Sequence, residues 1–246
     1  MRNKLKLEII HEDSALVLIN KPAGMLSVPD RFDGKLVNAK HLLRQQYGEI
    51  YAVHRLDRDT SGIMCFARTK EAHRALSTQF SEHQPEKKYL ALTEGVVSAD
   101  EGEIDSPLQE DPRRPGKMMV ASKGGLMAFT KFQVVERFAD YTWVSVEIQS
   151  GRTHQIRVHM QSIGHSVVAD PLYSRRSSLL LSTIKGRKYR LGKEKEERPL
   201  LARTALHATS LGLQHPDTGD QIVYTVDPPK DIRASLQQLR KWNPSR

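Results

Sequence analysis

Apolar residues follow two kinds of spacing along this chain. Short unbroken runs at 15–19 (within ALVLIN) and 63–67 (within GIMCFAR) read as strands buried on both faces. Residues 132–134, then Val144, Val146 and Ile148, alternate as half-buried strands do. Residues 88–97 and 221–226 read as two further strands. Helical spacing joins Ala72, Ala75, Leu76 and Phe80 on one face, with Thr69 placed as the cap. A stripe of Ile156, Met160 and Ile163 predicts a helix over 153–163, ending at Gly164. Residues 36–47 predict a short helix stopped at Gly48, and Pro228-Pro229 open a last one carrying Ile232, Leu236 and Leu239. Residues 98–125 are loop-rich, and 174–199 form a polar, charged excursion.

Several strands follow one another with no helix between them. That order predicts an α+β fold with a largely antiparallel or mixed sheet flanked by helices, and not a doubly wound parallel one. With no linker composition visible, residues 1–246 read as a single catalytic domain with a basic insertion at about 175–203.

No apolar run approaches the roughly 20 residues a spanning helix needs, so membrane insertion by such a helix is not expected. The basic start turns acidic before an apolar stretch builds, and no signal peptide is expected. A lone cysteine, Cys65, can form neither an internal disulfide nor a cysteine zinc cluster, which fits a reducing cytoplasm. Nothing in the sequence fixes the oligomeric state; a monomer is the simplest expectation.

Charge sharpens the picture. The net charge is +9, from 38 basic and 29 acidic residues. Residues 175–203 hold ten basic and three acidic side chains, so +7 lies in that segment and +2 in all the rest. A local excess of this kind points to a polyanionic partner, most simply nucleic acid.

Two polar clusters could carry chemistry. The first, His54-Arg55-Leu56-Asp57-Arg58-Asp59-Thr60-Ser61-Gly62, directly precedes an apolar strand. Loops held by core elements are favoured catalytic positions, although a plain solvated turn reads equally well from spacing. Asp57-x-Asp59-Thr60 also matches the nucleophile motif of haloacid-dehalogenase-like magnesium phosphatases, but those need an apolar strand ending at the first aspartate. The second cluster, 150–160 (SGRTHQIRVHM), opens the 153–163 helix and sets Arg152 at its start, a natural anion site. The plain alternative is that Arg157 and His159 decorate an exposed helix face, as is expected of at least one of them. Neither a phosphate-binding GxxxxGK[ST] loop, a GxGxxG turn nor HExxH occurs.

Taken in order, INKPAGMLSVP (19–29), HRLDRDTSGIMCFART (54–69), KKYLAL (87–92), SGRTHQIRVHM (150–160) and LHATSLGLQHP (206–216) resemble the successive motifs of RluA-type pseudouridine synthases. The likeness covers roughly residues 8–228. It departs in the long basic stretch at 175–200 and in showing no separate small N-terminal RNA-binding domain. The resemblance implies isomerisation of uridine to pseudouridine in structured ribosomal or transfer RNA, with no metal, nucleotide or organic cofactor. It implies Asp57 as the catalytic residue, either attacking the sugar or removing a proton from carbon 2′. Arg152 would pair with Asp57 and hold it ionised, and Tyr89 would contact the flipped uracil. His54 and Arg55 would contact RNA, with Arg55 entering the space the base leaves. Ile156 and Leu206 would wall the pocket. Lys185, Arg187, Lys188 and Arg190 are expected to grip phosphates. The rival outside enzymology is a catalytically silent RNA-binding protein.

Overall fold

The computed structural model describes residues 7–30, 33–192 and 196–245. Its first elements are β1 (Glu8–Glu12), β2 (Leu16–Lys21), α1 (Ala39–Tyr47), β3 (Tyr51–Ala52), β4 (Ser61–Ala67) and α2 (Lys70–Ser81). Then come β5 (Glu86–Glu94), β6 (Glu101–Asp105), β7 (Leu108–Glu110), β8 (Met118–Val120), β9 (Phe129–Arg137) and β10 (Tyr141–Ile148). The remainder is α3 (Gln155–Ser162), α4 (Leu181–Lys185), a 3₁₀ turn (Gly186–Lys188), β11 (Leu206–Gln214), β12 (Gln221–Thr225) and α5 (Lys230–Trp242).

The chain folds as two compact units, Met1–Lys88 with Ala208–Asp227, and Tyr89–His207 with Pro228–Arg246. Two of the three crossings lie inside β5 and β11, where no linker composition could mark them.

In the first unit β2 pairs antiparallel with both β1 and β4, and β3 pairs with β4. β12 runs antiparallel to β11, from Ser210↔Thr225 to Gln214↔Gln221. All seven residues of β4 are buried, as an unbroken apolar run predicts. Thr69 caps α2 by accepting from the Ala72 N–H, which turns Ala72 and Leu76 onto a core of Leu16, Leu18, Ile63, Cys65, Leu211 and Leu213. Gly62 is obligatory: its φ is +121°, and a Cβ there would collide with the backbone of Ala208.

In the second unit β9 pairs antiparallel with β10 and β6, and β7–β8 form a separate hairpin. Leu108, Ala128, Val158 and Tyr173 make a small apolar cluster that seats this hairpin on α3. Residues 98–125, read from sequence as loop, thus contain three strands; two of them are only three residues long, too short for a periodic signal. The antiparallel pairing in both units is the α+β arrangement expected from the order of elements. Among the described residues no helix is long and apolar enough to cross a membrane.

Candidate active site

In the first unit Asp57 lies on the loop between β3 and β4, and residues 19–29 brace that loop. The Ser27 hydroxyl donates to the Leu56 carbonyl at 2.7 Å and accepts from the Leu56 N–H at 3.0 Å. One buried side chain thus fixes both polar groups of the residue before Asp57. Lys21 is fully buried, and its ammonium donates to the carbonyls of Pro22, Met25 and Arg58 at 2.8–3.1 Å. The Gly24 N–H also donates to the Arg58 carbonyl, at 2.9 Å. The loop closes on itself where the Thr60 N–H meets the Asp57 carbonyl at 3.2 Å. Asp57 is left half-buried and Arg55 exposed.

His54 is built into the frame. Its Nε2 accepts from the Cys65 N–H at 2.9 Å, which sets the proton on Nδ1, and its ring stacks on Phe80 at 4.7 Å. Desolvation, aided by the nearby Lys87 ammonium, pushes this imidazole down to about 3. His54 is therefore neutral near pH 7 and offers RNA no cationic charge. Desolvation also lowers Lys87 to about 8.

The same fold disposes of the phosphatase arrangement. The strand preceding Asp57 stops at Ala52 and is antiparallel to β4, so no apolar strand delivers the aspartate.

In the second unit Arg152 stands just before α3. Its Nε donates to the Met127 carbonyl at 3.1 Å, and its N–H donates to Gln155 Oε1 at 3.1 Å. Gln155 is the hub of this start: its Oε1 also accepts from Ser150 Oγ, and its Nε2 donates to the Phe129 carbonyl and Thr130 Oγ1. His154 adopts the left-handed conformation at φ +56° and is held by its Nδ1 at 2.8 Å from the Tyr173 hydroxyl. A non-glycine residue kept there is strained, and such strain persists only where neighbours enforce it.

Arg157 and His159 correct the sequence reading. Both are buried, not displayed on an open face. Arg157 makes a bidentate pair with Asp170, Nε–Oδ2 at 2.6 Å and Nη2–Oδ1 at 2.9 Å. His159 is hydrogen-bonded through Nδ1 to Thr130 Oγ1 and through Nε2 to the Ser106 carbonyl, and burial lowers its pKa. α3 is covered on almost every side, so polar residues survive there only because each has found a partner.

Tyr89, Ile156 and Leu206 are buried in this same unit. The basic insertion divides in two. Lys185 ends α4 with its ammonium 4.3 Å from the Trp242 ring centroid, and Arg203 pairs through two bonds with Asp231. Arg187, Lys188 and Arg190 are exposed. Lys193, Glu194 and Lys195, counted in the charge of this segment, lie outside the described residues.

Ser27, Lys21, Gln155 and Asp170 were not singled out in the sequence as site-forming. Their roles come from long-range bonds, and only their place in or near the matched motifs could have flagged them.

Comparison with known proteins places the chain in a family. A family model described as RNA pseudouridylate synthase matches residues 15–162. The chain is 36% identical over 220 residues to the dual-specificity RNA pseudouridine synthase RluA of Escherichia coli, covering 89% of this chain and 91% of that protein. It is 34% identical to ribosomal large subunit pseudouridine synthase D of Zymomonas mobilis, over 96% of this chain and 73% of that one. Among solved structures, human RNA pseudouridylate synthase domain containing 4 superposes with a TM-score of 0.71 over 95% of this chain and 93% of that one; at 24% identity this shows the fold alone. With the family model spanning well over half the chain, this protein belongs to the RNA pseudouridylate synthase family and is an isomerase acting on uridine in RNA.

Proposed function

We infer that Asp57 carries the isomerisation, and that the substrate is a folded ribosomal or transfer RNA. The observation that supports this is the double brace on its loop: Ser27 and Lys21 hold the residues on either side of one half-buried carboxylate. Groups that must meet a reacting atom gain from such fixed positioning. In the reaction the bond between the sugar's carbon 1′ and uracil N1 breaks and the uracil turns. Carbon 5 then bonds to carbon 1′, and the proton lost from carbon 5 is balanced by one gained at N1. Asp57 either bonds to the sugar in between or takes and returns the carbon 2′ proton; both roles need the ionised form.

On this reading Arg152 serves the Asp57 carboxylate. Its Nε is committed to the Met127 carbonyl, which fixes the guanidinium plane. Tyr89 contacts the extruded uracil, Ile156 and Leu206 line its pocket, and Arg55 fills the vacated stack. His54 supports the loop from behind. The reaction takes place in the cytoplasm, without a cofactor.

The test is to incubate purified protein with RNA from cells lacking it and to map new pseudouridines. A defined site in ribosomal or transfer RNA is expected. Binding without any new pseudouridine would favour the silent RNA-binding protein instead.

A further inference from the structure

We propose that the turn at 186–190, together with Lys185 and Lys241 around Trp242, is a docking surface for RNA backbone phosphates, additional to the residues that engage the reacting uridine. This rests on the RNA reading above and extends it to a second contact region.

The fold sorts the charges of the insertion. Its base is closed by bonds between Leu179 and Leu201, N–H to carbonyl at 2.8 Å, and between the Leu200 N–H and the Leu179 carbonyl at 2.9 Å. Leu179, Ile184 and Leu201 are buried beneath it. The segment is therefore an anchored platform. Of its carboxylates, Glu197 is consumed internally, accepting from the Ser182 N–H at 2.7 Å and from the Tyr189 hydroxyl, while Glu196 is exposed. Arg203 is consumed in the same way by Asp231. Arg187, Lys188 and Arg190 remain on the outside of a 3₁₀ turn and the two residues after it. Arg190 donates through Nη1 to the carbonyls of Arg187 and Tyr189, which orders its side chain beside the turn.

Trp242, at the end of α5, gathers two more cations. The Lys185 ammonium lies 4.3 Å from its ring centroid and that of Lys241 lies 5.2 Å away. An indole ring attracts each cation modestly, which concentrates positive charge at the end of α5. Arg187, Lys188, Arg190, Lys185 and Lys241 thus outnumber the exposed carboxylate Glu196, in a protein whose substrate is a polyanion.

The test reads binding, not chemistry. A labelled 20-base-pair RNA hairpin is titrated with protein at several salt concentrations. Non-specific affinity for duplex RNA is electrostatic, and each lost phosphate contact flattens the log–log salt slope by about 0.7–0.9. Neutralising Arg187, Lys188, Arg190 and Lys241 to Gln should lower the slope by roughly 3 and weaken binding at low salt. The charge-conserving pair Arg187→Lys and Arg190→Lys should keep the wild-type slope. If the fourfold variant melts early, Arg187→Gln with Lys188→Gln alone should lower the slope by about 1.5. An unchanged slope in these variants overturns the proposal. So does an unchanged RNA slope beside lost binding to phosphatidylglycerol vesicles, which would make this a lipid surface. Pseudouridine formation by wild-type protein is measured alongside. Its presence with an unchanged slope sinks only the docking surface, and its absence sinks the reading beneath it.

Discussion

Removing the Arg157 guanidinium should unfold this protein more readily than any neighbouring change in the same motif. Arg157 and Asp170 are both buried, the latter fully, and they share two short hydrogen bonds. Asp170 also accepts from the N–H groups of Leu172 and Tyr173, so it holds the chain after α3 in place. Arg157→Ala strands a carboxylate in the interior, and breaking a buried pair in this way costs about 3–5 kcal/mol. For a chain of this size each kcal/mol shifts the melting temperature by about 2–4 °C, so a drop of roughly 6–20 °C is expected. The double variant Arg157→Met with Asp170→Asn should lose much less. It removes both charges together, and the amide oxygen still accepts the two backbone N–H groups. Thermal unfolding followed by circular dichroism checks both. A melting point for Arg157→Ala within about 2 °C of wild type, on the same scale, would show that the pair is not buried as described.

Ser27→Ala should cost about 1–3 kcal/mol for each polar group of Leu56 it orphans, and should lower the single-turnover rate far more than RNA affinity, because the loop carrying Asp57 loosens. Chemical denaturation and rapid-quench kinetics separate the two effects. His54 gives a pH signature. Its folded pKa, near 3, lies below the ordinary 6.5, so between those values the unfolded chain takes up a proton that the folded one does not. Stability is therefore lost as pH falls from 6.5 toward 3, by up to about 1.4 kcal/mol per pH unit from this residue. His54→Gln should flatten that part of the stability–pH curve, and a slope identical to wild type would contradict a neutral, enclosed His54.

Much of the fold is legible in the chain because its signals are local. The runs at 15–19 and 63–67 became β2 and β4 since strands covered on both faces need no polar alternation. Thr69 and Gly48 end or start helices where their side chain or lack of one predicts. The hairpin β7–β8 escaped notice because its strands are three residues each and are stabilised by α3 and Tyr173, distant in sequence. The loop proposed to carry the chemistry was visible as a dense polar cluster, but its brace was not. Lys21 and Ser27 carry no local sign of this role, because their partners at Arg58 and Leu56 lie 37 and 29 positions on. Arg157 and His159 misled for a related reason: charged and polar residues at helical spacing imply solvent unless buried partners such as Asp170 and Thr130 are known.

The most direct measurement of the central claim is pseudouridine formation by Asp57→Asn on RNA from cells lacking the protein. The amide preserves the shape of the side chain and of the loop that Ser27 and Lys21 hold, but it can neither attack the sugar nor accept a proton effectively at pH 7. The variant should melt and bind RNA much as the wild type does while forming no pseudouridine above background. Sustained turnover by a correctly folded Asp57→Asn protein would contradict the assignment and move the chemistry to another residue.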